Sequence, residues 1–216
     1  MKIKEALPQL NKCVGIKFGD LFSDLPLDLR INKGNVGQLI LLKIGLNLDS
    51  ALTDFEDGEL KTNKSNSYEL PKETMFITQI SQQIDSLVSD NPIPFLKSNL
   101  YKKIKRLVFL PVCKDPNDIK DWFFVSVVDC NLEAEKDLRD KLEKDYYEIC
   151  NKLRWNIENS DDGYIHTSNG DLIQVRSKDT KPYHPIFSNT YNRNISNKNH
   201  AFYFKKEFMI HCQNLL

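Results

Sequence analysis

The chain has 216 residues, enough for one domain of ordinary to large size, and 40% of them are apolar against 28% charged, an ordinary globular balance. The formal charge at neutral pH is zero, so any preference for a polyanion must come from local patches rather than from the whole chain. No apolar run is long enough to cross a membrane, no charged-then-apolar leader opens the chain, and the five cysteines, an odd set without Cys-x-x-Cys spacing, suit reduced thiols in a cytoplasmic protein better than a disulfide framework or a zinc site.

In chain order, residues 2–13 suit a short helix carrying Pro8 as a flaw. Asn35 can cap a second helix running to about Leu46, with Val36, Leu39, Ile40 and Ile44 as its apolar stripe. Residues 58–63 suit a strand, 63–68 a polar loop and Thr74–Gln79 a second strand, giving an antiparallel pair. Residues 95–104 suit a helix. RLVFLPVC (106–113) and WFFVSVVDC (122–130) are continuous apolar runs of the kind that form buried central strands. Residues 132–155 carry Leu132, Leu138, Leu142, Tyr146, Ile149 and Leu153 at helical spacing. Asn169-Gly170 predicts a tight turn joining Tyr164–His166 to Leu172–Val175. Residues 179–200 show little pattern and suit a long loop, followed by a strand at Ala201–Phe204 and a helix to Leu216. The whole predicts an α/β fold: a mixed β-sheet flanked by helices, in a single domain over 1–216.

The order Asp54-x4-Glu59-x-Lys61 is the strongest chemical signal. Side chains alternate along a strand, so Glu59 and Lys61 share one face while Leu60 takes the other, and Asp54 can fold in beside them. Two carboxylates supply hard oxygen ligands for Mg²⁺, which binds through one or two carboxylates together with substrate phosphate. A lysine beside them can orient a water. The same residues also suit a solvated turn and an edge strand whose lysine pairs with a carboxylate, and taken alone they favour that reading; it is their company that changes the weighing. Positive charge is segregated. From Leu172 to Lys206 stand Arg176, Lys178, Lys181, Arg193, Lys198, Lys205 and Lys206 against Asp179 alone, and Lys102, Lys103, Lys105 and Arg106 form a second group. Such a face can hold a nucleic-acid backbone.

Taken together, LRINKGNVGQLI (29–40), DFEDGELKT (54–62), KKIKRLVFLPV (102–112), GDLIQVRSKD (170–179) and AFYFKKEF (201–208) resemble, in order, segments of the MutH family. That family joins the strand-nicking endonuclease of methyl-directed mismatch repair with a group of GATC-cutting restriction enzymes. The resemblance implies a restriction-endonuclease-like PD-(D/E)xK fold shaped as a clamp of two lobes around double-stranded DNA, Mg²⁺ as cofactor, and a GATC or related site. It implies Asp54 and Glu59 as metal ligands and Lys61 as the water-orienting lysine, all three catalytic. It also implies DNA contacts from Lys33, Lys105, Arg176, Lys178, Tyr203 and Lys205, with Tyr203 where the family senses adenine methylation. Products with 5′-phosphate and 3′-hydroxyl would follow. A type II restriction enzyme, cutting both strands as a homodimer or by two nicks, is the leading reading. A mismatch-repair nickase and a non-catalytic DNA-binding protein are the alternatives. Two departures stand out: Leu41 occupies the position of a further family glutamate, and the gap from Asp54 to Glu59 is shorter than usual.

Overall fold

The computed structural model describes residues 1–24, 36–46 and 53–214. Lys33, Gly34 and the expected helix cap Asn35 lie outside them. The elements in chain order are α1 (Ile3–Asn11), α2 (Phe18–Leu21), α3 (Val36–Lys43), β1 (Glu59–Ser65), β2 (Met75–Gln79), α4 (Ile84–Leu87), α5 (Asn99–Ile104), β3 (Arg106–Cys113), β4 (Phe123–Phe124) and β5 (Val128–Asn131). Then come α6 (Lys136–Asn159), β6 (Ser168–Asn169), β7 (Ile173–Ser177), β8 (Ile186–Ser188), β9 (Arg193–Ser196), β10 (His200–Phe204) and α7 (Lys206–Gln213). Among the described residues no helix is long and apolar enough to cross a membrane. Two compact units divide the chain. One comprises Met1–Met75, Lys103–Asn131 and Met209–Leu216, the other Phe76–Lys102 and Leu132–Phe208.

The first unit is built on β3. All of Leu107–Cys113 is buried, which is why this strand must be apolar along both faces. β1 runs parallel to it, with Glu59 opposite Leu107 and Lys61 opposite Phe109. On the other side β5 pairs with Arg106–Phe109 and β4 with Val112–Cys113, both antiparallel, so this sheet is mixed. The run 122–130, expected as one strand, is thus two. Pro111 stands between the paired stretches and has no N–H, so the ladder is interrupted there; its carbonyl instead accepts from the Val125 N–H at 2.8 Å. Leu60, Val108, Leu110, Val112 and Phe124 pack with Ile3, Ala6 and Leu10 of α1, Phe18 and Leu21 of α2, and Val36, Leu39, Ile40 and Leu41 of α3. α1 turns its apolar residues inward at spacings of three and four and keeps Pro8 on the exposed side, where the lost helix bond is least felt.

The expected antiparallel pair of residues 58–63 with 74–79 does not form. β2 belongs to the second sheet, and β1, running on to Ser65, takes β3 as its neighbour. The segment after β1 instead folds back on its end, with the Lys72 N–H donating to Lys64 O at 2.8 Å.

The second unit carries a sheet in the order β2-β10-β7-β6. β10 and β7 are antiparallel, placing Ala201 opposite Arg176 and Tyr203 opposite Gln174. α6 buries Leu138, Leu142, Tyr146, Ile149, Leu153 and Ile157, and the Tyr146 ring stacks on Phe202 at 6.3 Å between centroids. The helix starts at Lys136, so Leu132 lies before it, and it continues to Asn159. Asp145, buried within α6, accepts the N–H groups of Asp171, Leu172 and Ile173 at 2.8, 2.6 and 3.0 Å. Its carboxylate fixes the turn between β6 and β7. That turn is residues 170–172, not Asn169-Gly170, and Ser168–Asn169 rather than Tyr164–His166 form the first strand. A side chain at Gly170 would meet the Asp145 carboxylate at 2.4 Å, so only glycine lets the turn approach the helix. The stretch 179–200, expected to lack structure, holds the β8–β9 hairpin, with Ile186 opposite Ser196. Strands of three and four residues leave little alternation to read. The loop between them is organised instead by Asp85 of α4, which accepts from Ser188 Oγ, the Asn189 N–H and Nδ2, and the Thr190 N–H.

Candidate active site

Asp54 and Glu59 are brought together by a tight turn. The Phe55 N–H donates to Gly58 O at 2.9 Å, and Phe55 is buried. Gly58 approaches β3 so closely that a Cβ would lie 2.4 Å from Arg106 O. From the start of this turn Asp54 Oδ2 accepts the Leu60 N–H at 2.9 Å, which seats the carboxylate on the first residues of β1. Strand alternation does the rest. Leu60 enters the apolar core, and Glu59 and Lys61 stand on the opposite face, joined by a Lys61 Nζ–Glu59 Oε1 bond of 2.5 Å.

Glu59 is 3% exposed. A carboxylate so deeply placed needs compensation, and two ammonium groups provide it. Besides Lys61, Lys103 at the end of α5 donates to both Glu59 oxygens, at 3.2 and 3.3 Å. Lys103 belongs to the basic group 102–106 noted in the sequence, but nothing in its spacing singled it out. Its role becomes visible only when α5 is placed beside β1. The neighbouring Arg106 bonds Asp129 at 3.0 Å, and Lys105 is partly buried. For Asp54, burial pushes the carboxyl above its ordinary range and the charge of Glu59 adds to that; the Leu60 N–H, Lys61 and Lys103 pull the other way.

This donor set fits a hard divalent cation. Two carboxylates converge, one is held up by burial and by its acidic neighbour, and ammonium groups already answer the negative charge where a cation would share it. Among the described residues no cluster of three or more acidic, histidine or cysteine side chains could hold a metal. Leu41, at the position where the resemblance implies a glutamate, is 7% exposed and packed into the α1–α3 core.

Along the same face of β1, past Lys61, stand Asn63 and Ser65. Both are buried, and their side-chain polar atoms meet no protein partner among the described residues.

In the second unit, Arg176 and Lys178 are exposed on β7 and its end, each over an aromatic ring. The Arg176 guanidinium lies 4.3 Å from the centre of the Tyr203 ring, and Lys178 Nζ 3.7 Å from that of Phe76. The two rings meet edge-on at 5.7 Å. Tyr203 is 7% exposed, and burial raises its hydroxyl while Arg176 opposes the rise. The Lys205 ammonium donates to Gly170 O at 3.0 Å, in the 170–172 turn. Phe76 had no signal of its own in the sequence; it joins the cluster through the β2–β10 neighbourhood.

No protein-family model matches the chain. Among curated proteins it is similar to the DNA mismatch repair protein MutH of Haemophilus influenzae, 30% identical over 117 residues, covering 51% of this chain and 50% of the relative. The protein of that name from Actinobacillus pleuropneumoniae is 32% identical over 115 residues, covering 50% and 49%. That of Haemophilus ducreyi is 27% identical over 184 residues, covering 81% and 76%. The chain spans about half the length of the first two relatives and about three quarters of the third. Four relatives bearing one name are thus similar to this chain, in which Asp54, Glu59 and Lys61 gather at one strand.

Proposed function

We propose that this chain is a Mg²⁺-dependent DNA endonuclease of the MutH type, acting as a type II restriction enzyme at GATC or a related site. The observation that carries the reading is the convergence of Asp54, Glu59, Lys61 and Lys103 at the start of β1. The relatives are named for DNA mismatch repair, which makes duplex DNA the polymer assigned here. Asp54 and Glu59 would hold the ion, whose charge, when bound, stabilises the phosphate as negative charge grows on it. Lys61, fixed by Glu59, orients the attacking water. Lys103 keeps Glu59 in place, so that truncation of one lysine does not swing the carboxylate away. The water oxygen forms a bond to phosphorus, the bond to the 3′ oxygen breaks, and the proton passes to that oxygen, leaving 5′-phosphate and 3′-hydroxyl ends. Arg176 and Lys178 are exposed cations held in place by rings, suited to phosphate or base-edge contacts. Tyr203 beneath Arg176 is suited to sensing the methyl group on adenine.

One observation favours a second reading, a DNA-binding protein that does not cut: Leu41 is built into the apolar core. Plasmid DNA of defined adenine methylation, incubated with and without Mg²⁺, separates the cases. Linear product supports a restriction enzyme. Open circles at hemimethylated sites point to a repair-type nickase. Intact plasmid under every divalent metal, with duplex binding retained in a gel shift, removes the nuclease reading in favour of the second.

A further inference from the structure

Five cysteines are buried, and two of them meet. Cys130 of β5 and Cys212 of α7 are each 1% exposed, stand 82 residues apart in sequence, and bring their Sγ atoms to 3.0 Å. That is only about 1 Å longer than a covalent S–S bond. Both residues lie within the first unit. The remaining three are placed differently: Cys13 Sγ donates to Gln9 O, Cys113 ends β3 opposite Phe123 of β4, and Cys150 faces Tyr146 within α6. The position of Cys130 also matters. It lies opposite Leu107 on β3, and Leu107 lies opposite Glu59 on β1, so the three occupy one row across the sheet.

We propose that Cys130 and Cys212 form a reversible disulfide, a redox-sensitive clasp that fastens the end of α7 to the sheet row carrying Glu59. With glutathione disulfide as oxidant, one thiolate attacks a glutathione sulfur and expels the first glutathione. The second thiolate then attacks the protein sulfur of that mixed disulfide, forming the Cys130–Cys212 bond and expelling the second. Two protein thiols are oxidised, one external disulfide is reduced to two thiols, and the two protons pass to the departing glutathione thiolates. In a reducing compartment the pair stays as thiols, and a shift towards oxidising conditions closes it. Burial slows the approach of the oxidant, so closure follows local opening of α7 rather than direct attack.

The test equilibrates the full chain with glutathione disulfide, both as the native protein and during refolding from urea in the same buffer, and counts thiols after denaturation. The count is expected to fall from five to three, the intact mass to drop by two hydrogens, and peptide mapping to join the peptides bearing Cys130 and Cys212. Dithiothreitol restores five. In Cys130→Ser and Cys212→Ser, no intramolecular bridge forms. Five thiols persisting in both arms, or a bridge joining any other pair, overturns the proposal. None of these readouts depends on DNA cleavage, so they stand apart from the nuclease reading.

Discussion

Glu59 answers to two ammonium groups, and that sharing decides what its neighbours' removal does. Lys61→Ala is expected to lower plasmid cleavage by about 100-fold or more while duplex binding in a gel shift persists, because orientation of the water is lost but the exposed cations are not. Lys103→Ala removes two charge-assisted hydrogen bonds, both from one ammonium, to a buried carboxylate and should cost about 1–3 kcal/mol in urea denaturation. Glu59→Gln is the better probe of the acid than alanine, since truncation would leave two ammonium groups facing each other across a gap. Normal cutting by Glu59→Gln would remove the assignment. The trio Asp54, Glu59 and Lys61 was legible in the sequence because strand alternation is a one-residue rule. Lys103 was not, because its partnership with Glu59 spans 44 residues and depends on where α5 ends.

Among the elements, the β6–β7 turn hangs on one helix side chain. Asp145→Ala would orphan three N–H groups, two of them buried, and an overall loss of about 2–4 kcal/mol is expected by urea denaturation. Gly170→Ala should destabilise the same turn, as its Cβ would overlap the carboxylate. The β8–β9 hairpin has a counterpart in Asp85. Burial alone would raise this carboxyl, but hydrogen bonds from Ser188, Asn189 and Thr190 outweigh it and hold it at about 2, below the ordinary 3.8. A depressed folded value means the ionised group stabilises the fold above about pH 4 and loses that contribution as pH falls towards 2. The stability gap between wild type and Asp85→Ala should therefore close over that interval in chemical denaturation. Several elements were legible: β3 from its apolar run, α6 from its period, α3 from its stripe. The pairing of β1 was not, because proximity in sequence favoured β2 whereas burial favoured β3. The short hairpin strands escaped for a related reason, being fixed by a carboxylate from a distant helix rather than by their own alternation.

For the molecule as a whole, zero net charge means that any attraction for DNA must rest on a few placed cations. Affinity for duplex should fall as salt rises, and Arg176→Ala or Lys178→Ala should each reduce the slope of log K against log salt by about 1, measured by fluorescence anisotropy. On the proposed function, chelation with EDTA should stop cleavage and spare binding, because the cations proposed to meet phosphate, Arg176 and Lys178, are other residues than the carboxylates proposed to hold the ion.

One further consequence follows from the bond between Asp54 and the Leu60 amide. The acid is registered to the strand by the amide it accepts from, not by the number of residues that separate it from Glu59. A bend of another length that kept this bond would leave the carboxylate on the strand, so the shorter gap that the MutH resemblance implies would be a change of tether length rather than of chemistry.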